Sequence, residues 1–149
     1  MHQGNGTAGI FEGDTRVTTF DCFCHQNYPW KTRMRSTHNI AFDEACRDAE
    51  YLQTIRSWLP KLLEGQPQLI FFQAGVDALH ADKLGKMQLS RETLNARNNM
   101  IYSFALLNKI PMVITMGGGY AKDIGLSVAA HADVYRTAAL RLQAVATSS

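Results

Sequence analysis

A parallel β-sheet with helices packed on its faces is the fold this sequence predicts, and three observations carry that expectation. Leu69, Ile70, Phe71 and Phe72 make a continuous apolar run, and Pro111 to Met116 make a second; such runs suit strands buried on both faces of a parallel sheet. Both runs stop in glycine, the first at Gly75 and the second at Gly117, Gly118 and Gly119. Around them, apolar residues recur at three- and four-residue steps, the spacing of helices that bury one side. Strands alternating with helices argue for an α/β sheet.

In chain order, the opening MHQGNGTAG reads as a glycine-rich polar loop that carries His2. Arg16 to Cys22 has the β-branched and aromatic content of a strand. A polar loop from His25 to Thr37 follows, with Tyr28, Pro29 and Trp30 inside it. From Asp48 the pattern turns helical through Tyr51, Leu52, Ile55, Leu59, Leu62 and Leu63, with Pro60 expected to kink or end the helix and Gly65 to close it. Past the Leu69–Phe72 strand, Ser90 is a good N-cap, with Glu92 in the first turn, for a helix through about Asn108. Its expected apolar side uses Leu94, Ile101, Phe104, Ala105 and Leu107. The Pro111–Met116 strand leads to a last helix from Ala121 to about Val145, with a break near Asp133 and a frayed Thr147, Ser148, Ser149 tail.

Right-handed crossovers put the ends of the three strands on one edge, and loops beyond the carboxyl ends of such strands are where open α/β sheets bind ligands. Asp77, Tyr120 and the Asn27–Tyr28–Pro29 loop should therefore share one site, with His2 joining them if a strand precedes it. No repeat, low-complexity stretch or linker interrupts the chain, so residues 1–149 read as a single domain.

Composition narrows the function classes. The chain has 149 residues, 46% hydrophobic and 19% charged, which is ordinary for a globular domain able to bury a core. A formal net charge of +2 and the lack of like-charge blocks argue against nucleic acid as a partner. No apolar run approaches the ~20 residues of a membrane span, so no membrane is expected and the cytoplasm is the expected location. Three cysteines, Cys22, Cys24 and Cys46, match neither a CxxC motif nor a disulfide framework. Strand alternation turns Cys22 and Cys24 to one face, which favours packing over a metal site with His25.

The residues at the strand ends suggest a chemistry. Aspartate and histidine bind zinc, and a catalytic zinc takes three protein ligands and keeps one position open. Such a metal polarises a carbonyl and acidifies bound water. A tyrosine after a triple-glycine turn could donate its phenolic hydrogen to the oxyanion of a tetrahedral intermediate, while glycines let backbone come close to a ligand. The reaction class this predicts is metal-assisted amide hydrolysis. Taken singly, Asp77 also reads as a turn residue or N-cap, Tyr120 as the start of the next helix, and His2 as a disordered end, while His80 and Asp82 read as a solvated loop, with a role at the rim near Asp77 as the alternative. Neither GxGxxG nor GxxxxGK[ST] is present to support a phosphate or nucleotide binder.

HQGNGTA at 2–8, TF followed by NYP at 27–29, QAGVDALHADKLGKMQLS at 73–90 and MGGGYAKDI at 116–124 together resemble the histone deacetylase and acetylpolyamine amidohydrolase family, closest to its class IV and smaller bacterial members. The resemblance covers nearly the whole chain, in the family's order. It implies a three-layer α/β/α, arginase-like domain around a parallel sheet, and zinc-dependent removal of acyl groups from lysine side chains or polyamines. It places His2 and Asp77 at two of the family's zinc ligands and Tyr120 at the tyrosine that polarises the substrate carbonyl. Gly118 and Gly119 fall at the pocket floor and Tyr28 at the substrate tunnel.

The departures define the rest of the expectation. The family's other zinc-ligand aspartate stands two residues before the histidine, a position that falls before Met1, and its tandem histidines, the general base and acid, lie further upstream. Asp21 and Phe23 stand where the family carries a serine and a histidine, beside its monovalent-cation (K+) site. The chain therefore resembles the C-terminal half of a deacetylase, an apparently truncated domain with a sheet edge and apolar helix faces left for a complementing N-terminal segment or another copy in a homo-oligomer. The alternative is a non-catalytic half-domain that acts as an interaction module.

Overall fold

The computed structural model describes residues 1–44 and 46–147, leaving aside the side chain at 145. Ser148 and Ser149 of the expected frayed tail lie outside the described residues. The elements run α1 (Asn5–Ile10), β1 (Phe20–Cys24), β2 (His38–Phe42), α2 (Asp48–Trp58), a 3-10 stretch (Leu59–Gly65), β3 (Ile70–Ala74), α3 (Arg91–Leu107), β4 (Met112–Met116) and α4 (Ile124–Ala146). β1 pairs in parallel with β2, Phe20 opposite His38 through Cys24 opposite Phe42. β3 pairs in parallel with β4, Ile70 opposite Met112 through Ala74 opposite Met116.

Several elements differ from the expectation, each for a physical reason. The opening segment is not all loop: Asn5–Ile10 is a helix, and its neighbour Gly4 donates its N–H to Asp21 Oδ2 at 2.7 Å. The first strand starts at Phe20 rather than Arg16 and extends to Cys24. β2 was not foreseen. Its five residues alternate, with Phe42 buried and Asn39 exposed, but the run is too short and too polar to stand out before its partner is known. Pro60 does end α2, which gives way to the tighter 3-10 stretch, but the left-handed residue that closes it is Gln66, not Gly65.

Ser90 caps α3 as expected, its side chain accepting from Thr93 N–H at 3.1 Å. The buried face of α3 is different from the one expected. Leu107 is exposed, whereas Arg97 and Asn98 are buried beside Leu94, Tyr102 and Ala105. α4 runs unbroken past Asp133, whose carboxylate is held by Arg91 at 2.5 Å and Asn95 at 3.2 Å on α3.

α2 packs on α3, and α3 on α4. The core joins Cys24 and Phe42 of the first pair to Ala74, Val76, Met87 and Leu89 near the second, with Tyr51, Ile55, Leu94, Ala130 and Val134 from the helices. Phe72 of β3 meets Tyr102 of α3 edge-on at 5.9 Å, whereas Phe71 and Val113, register partners on the opposite face, are exposed. Cys22 packs against this core, Cys24 and Cys46 lie in it, and all three thiols are free. Burial pushes the Cys22 thiol up to about 12 and the Cys46 thiol to about 11, in keeping with a packing role. Among the described residues no helix is long and apolar enough to cross a membrane.

Candidate active site

The two glycine-terminated strands converge because their ends touch. A Cβ on Gly117 would stand 2.6 Å from Gly75 Cα, so β3 and β4 can end side by side only with glycine there. Val76 N–H donates to Gly118 O at 2.8 Å and locks the two turns together. Arg97, buried on α3, donates to Gly75 O at 3.0 Å and to Asn98 Oδ1 at 2.9 Å, with its guanidinium over the Phe72 ring. That buried cation pins the strand end that leads into Asp77.

Asp77 is 8% exposed, and its carboxylate faces the start of the chain. His2 Nδ1 lies 2.9 Å from Oδ2, and the Met1 amino group 3.7 Å from Oδ1. Burial opposes ionisation of Asp77, but the His2 hydrogen bond and the Met1 ammonium outweigh it and hold the carboxyl at about 2. His2 reaches this position because Met1 O accepts from Cys24 N–H at 2.9 Å, which lays the opening residues alongside the end of β1.

Tyr120 faces the same carboxylate. A Cβ at Gly118 would stand 3.4 Å from Asp77 Oδ2 and 3.5 Å from Tyr120 Cε2, so the carboxylate and the phenol ring flank one gap that this glycine keeps clear. Gly119 lies beneath, where a Cβ would fall 2.5 Å from Val76 Cγ2 and 3.0 Å from His131 Nε2. The His131 ring is pushed below its usual pKa by burial, against the pull of Asp77, and its Nδ1 is buried without a partner. Tyr28 stands exposed on the next loop with its ring edge-on to Trp30 at 6.0 Å. The structure thus gathers His2, Asp77, Gly118 and Tyr120; Gly119 abuts Val76 and His131 instead, and Tyr28 touches none of the four in any contact described.

Asn27 is expected in the site only as part of the 27–29 loop, with no role of its own, and Asp82 at most at its rim. Asn27 is 4% exposed: its amide nitrogen lies 3.2 Å from His2 Nε2 and donates to Leu84 O at 2.7 Å, and its oxygen accepts from Lys86 N–H at 3.0 Å. One side chain therefore ties the His2 ring to the loop that follows Asp77. Asp82, expected in a solvated loop, is buried because its carboxylate accepts backbone N–H groups from Leu84, Gly85 and Tyr120. The motif was a signal that this loop matters, but nothing in its spacing showed where these side chains point. His80 is exposed as expected, His25 pairs with Asp43 at 3.1 Å, and His38 packs on Trp58.

The loop from Asp77 to Gly85 closes tightly on itself. A Cβ at Gly85 would fall 2.0 Å from the backbone oxygen of Asp77 and 2.9 Å from Met1 Cε. Gly85→Ala is expected to lower stability by about 3 kcal/mol, because the contact is with backbone that has no rotamer to yield. Urea midpoints check this, with Gly6→Ala as the control, since nothing lies within 4 Å of a Cβ at Gly6. Equal midpoints for wild type and Gly85→Ala would refute the packing described.

The donor set fits part of a metal centre. A half-buried imidazole and a buried carboxylate with donor atoms 2.9 Å apart, beside Gly118, suit two positions of a zinc site. Among the described residues no group of at least three His, Cys, Asp or Glu side chains could hold a metal ion.

Parallel strand pairs packed with helices, with a His–Asp pair and a glycine-borne tyrosine beside the ends of β3 and β4, fit an arginase/deacetylase-like fold. The acetylpolyamine aminohydrolase of Burkholderia pseudomallei has this fold, matching with a TM-score of 0.78 at 19% identity over 93% of this chain and 42% of that one. The histone deacetylase domain family matches residues 1–135, and the chain belongs to that family. An uncharacterized protein of Picosynechococcus sp. is 37% identical over 139 residues, which cover 93% of this chain and 46% of that protein. Histone deacetylase 2 of Arabidopsis thaliana is 30% identical over 125 residues, or 82% of this chain and 32% of that protein. The chain therefore spans less than half the length of these relatives.

Proposed function

We propose that the site serves zinc-dependent hydrolysis of the amide in an acylated lysine or polyamine. The observation that carries this reading is the partly buried His2–Asp77 pair, with the Asp77 carboxylate and the Tyr120 ring both beside Gly118. His2 Nδ1 and Asp77 Oδ2, 2.9 Å apart, are the donor atoms that would hold the zinc. Bound there, zinc supplies Lewis-acid polarisation of the substrate carbonyl and a more acidic water. Tyr120 donates its phenolic hydrogen to the oxygen on which negative charge develops. Gly118 leaves room for that carbonyl between the carboxylate and the ring, and Tyr28 borders the approach. More than half the length of the relatives lies outside the stretch this chain matches. We place the third ligand and the general base there.

The test is metal dependence. Chelation should abolish hydrolysis of an acetyl-lysine fluorogenic peptide or an acetylpolyamine by the purified protein, and zinc should restore it. Hydrolysis indifferent to chelation would sink the reading. A second reading, a non-catalytic half-domain that binds its partner without hydrolysis, is favoured by the incomplete donor set among the described residues. Zinc-loaded protein that binds the acetylated peptide without turnover would decide for it.

A further inference from the structure

The glycines that give Tyr120 access to the gap also deprive it of support. Three consecutive residues without side chains precede it, its own ring is 55% exposed, and α4 begins only at Ile124. A phenol on such a segment would sample many positions unless its backbone were held from outside. The support comes from the loop after β3. Asp82 Oδ2 accepts Tyr120 N–H at 2.6 Å, and Lys83 N–H donates to Tyr120 O at 3.1 Å. Lys122 N–H donates to Ala81 O at 3.4 Å, and Asp82 and Ala121 form an antiparallel bridge. Both polar groups of the Tyr120 backbone are therefore bound to residues 82 and 83, a few positions from Asp77.

The Asp82 carboxylate is itself fixed. Its Oδ1 accepts Leu84 N–H at 2.8 Å and Gly85 N–H at 2.7 Å, and the residue is 9% exposed. Hydrogen bonds to a carboxylate are shorter and roughly twice as strong as those between neutral groups. The two oxygens divide the work: one rigidifies the Asp82–Gly85 turn, and the other reaches across to the glycine turn.

We propose that Asp82 is a positioning residue for Tyr120, setting where the phenol stands relative to Asp77 through the Tyr120 amide. The proposal rests on the reading of Tyr120 as the residue that polarises the substrate carbonyl, and it adds what holds that residue in place. Asparagine cannot substitute. With one oxygen kept on Leu84 and Gly85, its NH2 group would face the Tyr120 N–H, donor against donor. A displacement of about 1 Å in a catalytic group can cost ~100-fold in rate.

The experiment compares wild type with Asp82→Asn in the full protein, in three readouts. In wild type the Tyr120 amide proton should resonate at low field and exchange slowly, as a short bond to a buried carboxylate requires; an ordinary shift with fast exchange would overturn the proposal without any variant. In Asp82→Asn that low-field shift should be lost and exchange should accelerate, with kcat down ~100-fold while KM and zinc affinity stay as in wild type. Asp82→Glu, which keeps both oxygens, should recover part of kcat. A folded Asp82→Asn protein with the Tyr120 amide unmoved, or one losing kcat, KM and zinc affinity together, would overturn the proposal. Failure of the underlying reading shows separately, as a Tyr120→Phe protein with unchanged kcat.

Discussion

Asp77→Ala is expected to remove bound zinc and hydrolysis together. Two donors from this chain face each other in the site, and the substitution leaves His2 without its partner. Loss of an outer-shell partner typically costs about 10- to 100-fold in metal affinity, and loss of a ligand should exceed that. The variant also strands His2 Nδ1 and the Met1 amine, which now meet the carboxylate at 2.9 Å and 3.7 Å. An unmet buried group of this kind costs about 1–3 kcal/mol, so the metal-free variant should melt below the metal-free wild type. Asp77→Asn separates the two effects: it preserves shape and one acceptor oxygen but not the negative charge, so stability should recover further than zinc binding. Metal content after purification and turnover of an acetyl-lysine peptide provide the check. A stoichiometric zinc and full activity in Asp77→Ala would show that the pair is structural.

Tyr120→Phe is expected to lower kcat about 10²- to 10³-fold, the usual loss when one donor to an oxyanion is removed. In the proposed mechanism the hydroxyl acts only when charge develops on the substrate oxygen, so KM should hold while kcat and kcat/KM fall together. Because the ring is exposed and its backbone is held through residues 82 and 83, the variant should melt and bind zinc as wild type does. Unchanged kcat would remove Tyr120 from the chemistry. A parallel rise in KM would place it in substrate binding instead.

The resemblance implies that His2 joins Asp77, and the glycine-ended strands put Asp77 and Tyr120 near each other; in the structure His2 Nδ1 lies 2.9 Å from Asp77, and a Cβ at Gly118 would touch both the Asp77 carboxylate and the Tyr120 ring. α1, β2 and the unbroken α4 were harder to see. Asn5–Ile10 carries too many glycines to look helical, and His38–Phe42 becomes a strand by pairing with β1. Asp133 looked like a helix break until its partners on α3 were seen. Asp82, expected in a solvated loop with a rim role as the alternative, is instead buried, because its carboxylate is met by three backbone N–H groups.

Local chemistry acts within a few residues, and it was enough to determine the strand runs, the glycine ends, the Ser90 cap, the Pro60 stop and the α/β class. Contacts between distant positions had to wait for the fold. His2 and Asp77 are 75 positions apart, Asn27 and Leu84 57, and Asp82 and Tyr120 38. A buried polar side chain is stable only when its partners are met. Whether Asn27, Asp82 and Arg97 face solvent or bind loops together was therefore decided by the tertiary contacts between segments far apart in the chain.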